Sequence, residues 1–159
     1  MSRSGYSDYE GWDYEEQWAM IRQMGALKAA IRGKRGQAFL FALRDALDEM
    51  PNKRLIAESL ETEGGEVCAL GALGRARGIA VADIDPEAAD VIATTFAISE
   101  TLARQVMYVN DDEYISQETP ERRWGRVRAW VQRQIDETEQ HRTRTIAWAI
   151  AFACGRPRP

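Results

Sequence analysis

Apolar residues at helical spacing in the last third of the chain constrain the fold most. Trp124, Val127, Val131 and Ile135 recur every three or four residues, so an α-helix would place them on one face. The preceding Thr119-Pro120-Glu121 combines an N-cap residue, a proline suited to the first helical position and an acid at the positive helix end. These signals predict a long amphipathic helix that begins at Pro120.

The same period recurs nearer the N-terminus. Trp18, Ile21 and Met24 indicate a first helix that begins near Trp12 and ends near Arg32. A second helix is predicted from Gln37, with Phe39, Leu40, Leu43, Leu47 and Met50 on its apolar face, and Pro51 closes it.

The middle of the chain gives weaker signals. Asp85-Pro86-Glu87 repeats the helix-start pattern. The stretch from Lys53 to Gly78 favours mostly helix, with a short hairpin near Glu63 to Val67 as an alternative. The overall expectation is a mainly α fold: four or five helices around one core, with at most one short β-hairpin.

Length and composition indicate one domain. A chain of 159 residues with 45% apolar residues can bury a core without disulfides or metals. We expect a flexible segment over residues 1–11, a helical domain over 12–154 and a disordered tail over 155–159. Cys68 and Cys154 lack metal-ligand spacing, so zinc is not expected and Cys68 is predicted to be a reduced, buried thiol.

The longest apolar run covers only about half the length of a membrane-spanning helix. It extends from Ile146 to Cys154. The N-terminus lacks the basic-then-apolar order of a signal peptide. We therefore expect the protein to remain in the cytosol where it is made and to have no membrane partner.

Charge is segregated along the chain. Residues 1–20, 22–54, 55–78, 79–118 and 119–159 carry −4, +5, −2, −8 and +5, which add up to the net charge of −4. Such blocks create opposed surface potentials if the fold brings like blocks together, or neutralise each other if basic and acidic segments face one another.

The stretch "IRGKRGQAFL", residues 31–40, contains a Gly-x-x-Gly string. KH domains clamp nucleic-acid backbones with such a loop, but they need a strand before it and an apolar residue where Arg32 stands. The simpler interpretation is an exposed turn in which Gly33 ends the first helix in the left-handed conformation. Arg32, Lys34 and Arg35 would then be available to phosphates or to an acidic partner.

The arginine-rich helix supplies a second set of candidate contact residues: Arg122, Arg123, Arg126 and Trp130. Trp124 and Trp130 lie six residues apart, so both cannot be central on one face. A partly exposed tryptophan beside arginines is typical of interface hot spots, whereas a wide buried stripe with arginines reaching past it to solvent explains the same pattern.

Catalytic residues are scarce. His141 is the only histidine, and no serine or cysteine nucleophile can be paired with it. The run Asp111 to Glu113 projects its carboxylates in different directions, so a solvated charge run is favoured over a cation site. We therefore expect no enzyme activity, no cofactor and no metal.

Several segments read together resemble a known group of proteins. These are "SRSGYSD", "IRGKRGQAFL", "MPNKRLI", "GEVCALGALGRARG", "MYVNDDE" and "ETPERRWGRVRAWV". Over residues 2–135 the chain resembles a family of small uncharacterised proteins encoded by tailed phages and prophages of proteobacteria. The resemblance implies expression in a bacterial cytoplasm and supplies no reaction, cofactor or binding residue.

Two functions remain open at this point. The first is an accessory protein that binds a host protein, for example a component of host defence, since the acidic block can complement a basic surface. The alternative is a nucleic-acid-associated protein that contacts phosphates. Convergence of residues 32–35 with the arginines of 122–133 on one face would favour nucleic acid, and their separation would favour a protein partner.

Overall fold

The computed structural model describes residues 14–111 and 118–153, which form six helices. They are α1 (Tyr14–Arg32), α2 (Lys34–Glu49), α3 (Ala69–Ala76), α4 (Ala89–Phe96), α5 (Glu100–Asp111) and α6 (Pro120–Ala153). The predicted mainly helical fold is confirmed, with one helix more than the four or five expected. The predicted segments 1–11 and 155–159 and the expected start near Trp12 lie outside the described residues.

One of the two predicted helix starts is confirmed. α6 begins at Pro120, and the Thr119 hydroxyl accepts a hydrogen bond from the backbone N–H of Arg122 at 3.3 Å. The prediction at Asp85-Pro86-Glu87 is wrong, because α4 begins only at Ala89. The Asp85 carboxylate instead accepts the backbone N–H of Glu87 at 2.9 Å, which closes a local turn ahead of the helix.

The core lies where α2, α3, α5 and the first half of α6 meet. α2 packs on both α3 and α6, while α4 and α1 pack on α5. The largest fully buried side chains include Phe39, Leu40, Leu43, Leu47, Leu73, Ile92, Leu102, Val106, Val127 and Val131. The apolar stripes predicted for α2 and α6 therefore face one another.

The α1–α2 corner differs from its prediction. Gly33 has φ −65° and ψ 155°, which is extended backbone, so the left-handed conformation predicted for it is wrong. α2 begins at the next residue, and Lys34 and Arg35 occupy its first turn. The glycine that the corner requires is Gly36, since a Cβ there would lie 1.9 Å from the Ala30 carbonyl oxygen of α1. The Gly-x-x-Gly string thus allows two helices to approach closely.

The segment between α2 and α3 is mostly irregular, so the predicted helix is present only at Ala69–Ala76. Glu61 and Val67 form a single antiparallel bridge around a turn in which Gly65 has φ +77°. Leu55 and Leu60 of this segment are buried in the core. These two apolar residues belong to a loop that covers the core. Within this described segment, the Glu61–Val67 bridge does not extend into a longer hairpin.

α6 has two halves with different surroundings. Residues 120–138 supply core side chains, whereas every residue from 139 to 153 is exposed. We call residues 139–153 the α6 extension. The sequence pattern predicted the amphipathic stripe only as far as Ile135.

Candidate functional site

A groove opens between the end of α2, the segment that follows it, the Glu61–Val67 turn and α3. It encloses a cavity of about 320 Å³. Ala46, Leu55, Val67 and Ala72 contribute buried apolar side chains to its lining. Glu49, Arg54, Glu66 and Arg75 stand around it as charged, exposed residues. We call this feature the α2–α3 groove.

Two side chains hold the end of α2 that forms one wall of the groove. The Lys53 ammonium donates to the carbonyl oxygens of Met50 at 2.8 Å and of Asp48. The Trp124 indole N–H donates to the carbonyl oxygen of Leu47 at 3.1 Å. The last carbonyls of a helix have no partner within the helix, so these donors fix where α2 stops.

The opposite wall is held by a close backbone approach and an ion pair. A Cβ at Gly71 would lie 1.9 Å from the Leu60 carbonyl oxygen, so α3 can rest directly on the segment before it. The Arg75 guanidinium donates to the Glu61 carboxylate at 2.7 Å and to the Gly65 carbonyl oxygen at 2.8 Å. These contacts attach the Glu61–Val67 turn to α3.

The side chain of Asn110 in α5 connects the two walls of the groove through hydrogen bonds. Its side-chain oxygen accepts the backbone N–H of Ala69 at 3.0 Å, and its amide nitrogen donates to the Ile56 carbonyl oxygen at 2.8 Å. The residue is only 2% exposed. A buried amide with both ends satisfied rigidifies the segments it joins, so the groove is preformed.

Both arginines at the groove form ion pairs with acidic residues of the same chain. Arg54 lies 3.1 Å from the carboxylate of Glu121, and Arg75 is paired with Glu61. Both guanidinium side chains are about half exposed, at 54% and 51%. An apolar lining surrounded by solvated ion pairs suits an apolar side chain from a partner, with polar groups around it.

Two of the predicted α6 contact residues form structural ion pairs. Arg126 donates to both oxygens of Glu118 at 2.8 and 2.6 Å and also to the Val109 carbonyl oxygen. Arg123 donates to the Leu55 carbonyl oxygen at 3.2 Å and lies 3.6 Å from the same carboxylate. The Glu118 side chain is 4% exposed, and the hydrogen bond from Arg126 lowers its pKa below its usual value.

A third arginine of α6 joins this helix to α2. Arg128 pairs through two nitrogens with the Asp48 carboxylate, at 2.6 and 2.8 Å. The hydrogen bond from Arg128 lowers the pKa of Asp48. The basic block of α6 is therefore partly neutralised by acids from other segments, which is one of the two outcomes that the charge pattern left open.

The other predicted α6 residues have contrasting environments. Arg122 is exposed, and no ion pair of its side chain is recorded among the described residues. Trp130 is 8% exposed and belongs to the core, which agrees with the buried-stripe interpretation, so this predicted contact residue is not an exposed anchor. Its neighbour Trp124 is the partly buried one, and the Lys53 ammonium lies 5.4 Å from its ring centroid.

The α1–α2 corner lies far from these arginines. Gln37 beside the corner donates to the Thr138 hydroxyl of α6 at 3.1 Å, which fixes the level of the corner along that helix. Thr138 and Arg126 are twelve residues apart, about 18 Å at 1.5 Å per residue. Arg32, Lys34 and Arg35 are exposed and have no recorded ion pair within the described ranges. Arg122, Arg123 and Arg126 therefore do not form one site with the corner residues.

Other chemistry is sparse in the part of the chain that the structure describes. Burial raises the pKa of the free Cys68 thiol to about 11, so it stays protonated, as predicted for a buried thiol. No group of three or more His, Cys, Asp or Glu residues within 14–111 and 118–153 is arranged to hold a metal ion. None of the helices described there has both the length and the apolar character needed to cross a membrane.

Sequence reasoning missed the α2–α3 groove. Its lining residues come from positions 46 to 76 and from Pro120. The available signal was Pro51, which ends α2 early and leaves the apolar residues Leu55 and Ile56 outside any helix. No protein-family model, curated protein or solved structure matches the chain.

Proposed function

We propose that this chain is a non-enzymatic protein that binds another protein through the α2–α3 groove. The observation that carries the proposal is the preformed cavity of about 320 Å³ with an apolar lining. This volume is at the lower end of ligand pockets, which range from roughly 300 to 1,000 Å³. It suits one apolar anchor side chain of a partner rather than an extended cofactor.

The groups around the groove support this choice. Arg54 and Arg75 each pair with an acidic residue of the same chain. Exposed ion pairs contribute little to stability, and they can exchange partners at little cost when another protein docks. Glu49 and Glu66 add negative charge beside the cavity, which favours a partner with basic residues around its apolar anchor.

The identity of the partner is proposed from the sequence resemblance alone. A phage or prophage accessory protein acts in the bacterial cytoplasm, where host proteins are available to it. We propose that the partner is such a host protein, with defence components as one class. Fold and geometry do not bear on this part of the proposal.

Nucleic acid is the second candidate target. Arg32, Lys34 and Arg35 are exposed cations without an ion pair among the described residues, which favours contact with an anionic partner at the α1–α2 corner. One observation opposes nucleic-acid binding. Arg123 and Arg126 pair with Glu118, so the residues of the α1–α2 corner would have to contact phosphates without them. A small basic patch gives weak phosphate binding that depends on salt.

The groove can be blocked without changing the core. Ala76 lines the groove and is exposed on α3, so Ala76→Trp would fill the entrance from the surface. Ala129→Trp on the exposed side of α6 is a matched control outside the lining. The tagged wild type and both variants would be used to capture proteins from a nuclease-treated bacterial lysate, with each retained protein quantified.

The proposal predicts a protein that the wild type and Ala129→Trp retain equally and that Ala76→Trp loses by at least about tenfold, equivalent to 1.4 kcal/mol. Equal retention by all three chains would show that the groove is not the binding site. Retention from a parallel untreated lysate that is lost from the nuclease-treated lysate would favour the nucleic-acid alternative.

A further inference from the structure

Two exposed apolar surfaces lie outside the α2–α3 groove. The first, which we call the α1 stripe, consists of Tyr14, Trp18, Ile21 and Met24, with exposed fractions between 42% and 69%. The second, which we call the α6 tip, consists of Ile146, Trp148, Ile150 and Phe152, with exposed fractions between 59% and 65%. Each contains an aromatic pair four residues apart: Tyr14–Trp18 at 5.8 Å and Trp148–Phe152 at 5.6 Å between ring centroids.

The α6 tip is unusual because the helix around it is exposed on every side. Residues 139–153 make no buried contact, yet residues 146–153 are all apolar. A helix that is apolar all round is normally covered by other elements. These residues continue a helix that residues 120–138 already nucleate, but no packing of their own side chains stabilises them, and most helical stability in proteins comes from such packing.

We propose that a second copy of this chain supplies that contact, with the α6 tip of each protomer packed on the α1 stripe of its partner. Both surfaces remain exposed within one chain, so neither covers the other there. A two-fold axis makes the exchange reciprocal and buries both surfaces of both chains. The inference is independent of the groove and of its partner.

The exposed area fits a reciprocal pair. A large apolar side chain carries on the order of 200 Å², so eight of them at these exposures offer at most roughly 900 Å² per protomer. A stable interface buries about 800 Å² from each partner. Either surface alone would offer about half of that area, which is why the pairing uses both.

Charge complements the apolar match. Glu15 and Glu16 occupy the first turn of α1, beside the stripe, and Arg142 and Arg144 precede the α6 tip. Neither arginine has a recorded ion pair among the described residues. Met24 is ten residues from Tyr14, and Phe152 is ten residues from Arg142, so parallel packing places acids beside arginines and apolar residues beside apolar residues.

A membrane surface fits the tip less well. The sequence continues past the apolar run with Gly155 and then Arg156 and Arg158. Insertion of the tip end-on would draw these two arginines toward the hydrocarbon, which is costly. A second copy requires no such burial of charge.

Two variants separate the surfaces. The stripe variant is Tyr14→Gln with Trp18→Gln, and the tip variant is Trp148→Gln with Phe152→Gln. Gln is a good helix former, and all four positions are exposed, so the helices should persist, which circular dichroism can check. The control variant is Phe41→Gln with Val91→Gln, which removes exposed apolar residues elsewhere.

Light scattering coupled to size exclusion would measure the mass of each purified chain over a concentration series. The wild type and the control variant should be dimers at micromolar concentration, and the stripe and tip variants monomers. An equimolar mixture of the stripe and tip variants should associate more strongly than either variant alone, at higher concentrations than the wild type requires, because one intact stripe then meets one intact tip. The half-size contact should weaken that pair by at least tenfold.

Three results would overturn the proposal. One is a wild type that remains monomeric throughout the series, including one that is monomeric but floats with anionic phospholipid vesicles. Another is a stripe variant that still dimerises, since that would assign the contact to two tips. The third is a mixture that associates no more than either variant alone at the highest concentration of the series, although the wild type is dimeric.

Discussion

The two halves of α6 belong to one continuous helix but differ in what supports them. Residues 120–138 contribute Val127, Trp130, Val131 and Ile135 to the core, and Arg123, Arg126 and Arg128 pair with acids from other segments. Residues 139–153 have no such contacts and expose their apolar side chains. The comparison separates helical structure held by the fold of one chain from helical structure that needs another molecule.

The largest contrast should come from a matched pair of tryptophans. Trp130 is 8% exposed and Trp148 is 60% exposed in the same helix. Trp130→Ala should lower the free energy of unfolding by about 3–5 kcal/mol, because removing a large buried side chain leaves a cavity. In the monomeric stripe variant, Trp148→Ala should change it by less than about 0.5 kcal/mol.

Urea unfolding followed by circular dichroism would measure both changes. Similar losses for the two substitutions in the monomeric background would contradict the division of α6 into a supported half and an unsupported half.

A smaller loss of stability is expected from a substitution just before the start of α6. Glu118→Gln removes the negative charge that Arg126 and Arg123 face, and it should cost about 2–3 kcal/mol, as for hydrogen bonds to charged groups. Glu121→Gln is the matched control, since that carboxylate is exposed and should contribute little.

The pH dependence of unfolding provides an independent check of Glu118. Its folded-state pKa is lowered, so its contribution is complete above the unfolded value of about 4.3 and is lost as the pH falls through the folded value. Wild-type stability should therefore fall more steeply on acidification below about pH 5 than that of Glu118→Gln. Parallel curves would mean that the pair contributes no net stability.

Local signals predicted the parts of the fold that depend on neighbouring residues. The cap at Thr119 and the apolar period of α2 and α6 act over a few positions, so the sequence alone was sufficient for them. Asp85-Pro86-Glu87 failed because the same carboxylate that caps a helix can close a turn, and the choice depends on where Ala89 and Ile92 pack.

Long-range pairing explains the misses at the candidate sites. The arginines of α6 looked available because the partner of Arg128 is 80 residues away in sequence. The burial of Trp130 and the α2–α3 groove likewise depend on how α2, α3 and α6 meet. Gly36 was read as part of a loop, whereas its role is the approach of α2 to Ala30.

The smallest effect on stability is expected at the α1–α2 corner. Lys34→Ala with Arg35→Ala removes two exposed cations from the first turn of α2, where positive charge is unfavourable, so stability should change by less than about 0.5 kcal/mol. If the corner contacts phosphates, the double variant should bind mixed-sequence DNA more weakly at all sequences and with a flatter salt dependence. Unfolding of the variant, or unchanged DNA binding at low salt, would remove the functional interpretation of these residues.

Hydrogen exchange along α6 tests the central contrast most directly. At micromolar concentration, amides of residues 120–138 should exchange slowly both in the wild type and in the Tyr14→Gln, Trp18→Gln variant, since the core protects them. Amides of residues 139–153 should be protected in the wild type and exchange rapidly in the variant. Equal exchange of residues 139–153 in both proteins, whether slow or fast, would contradict the account.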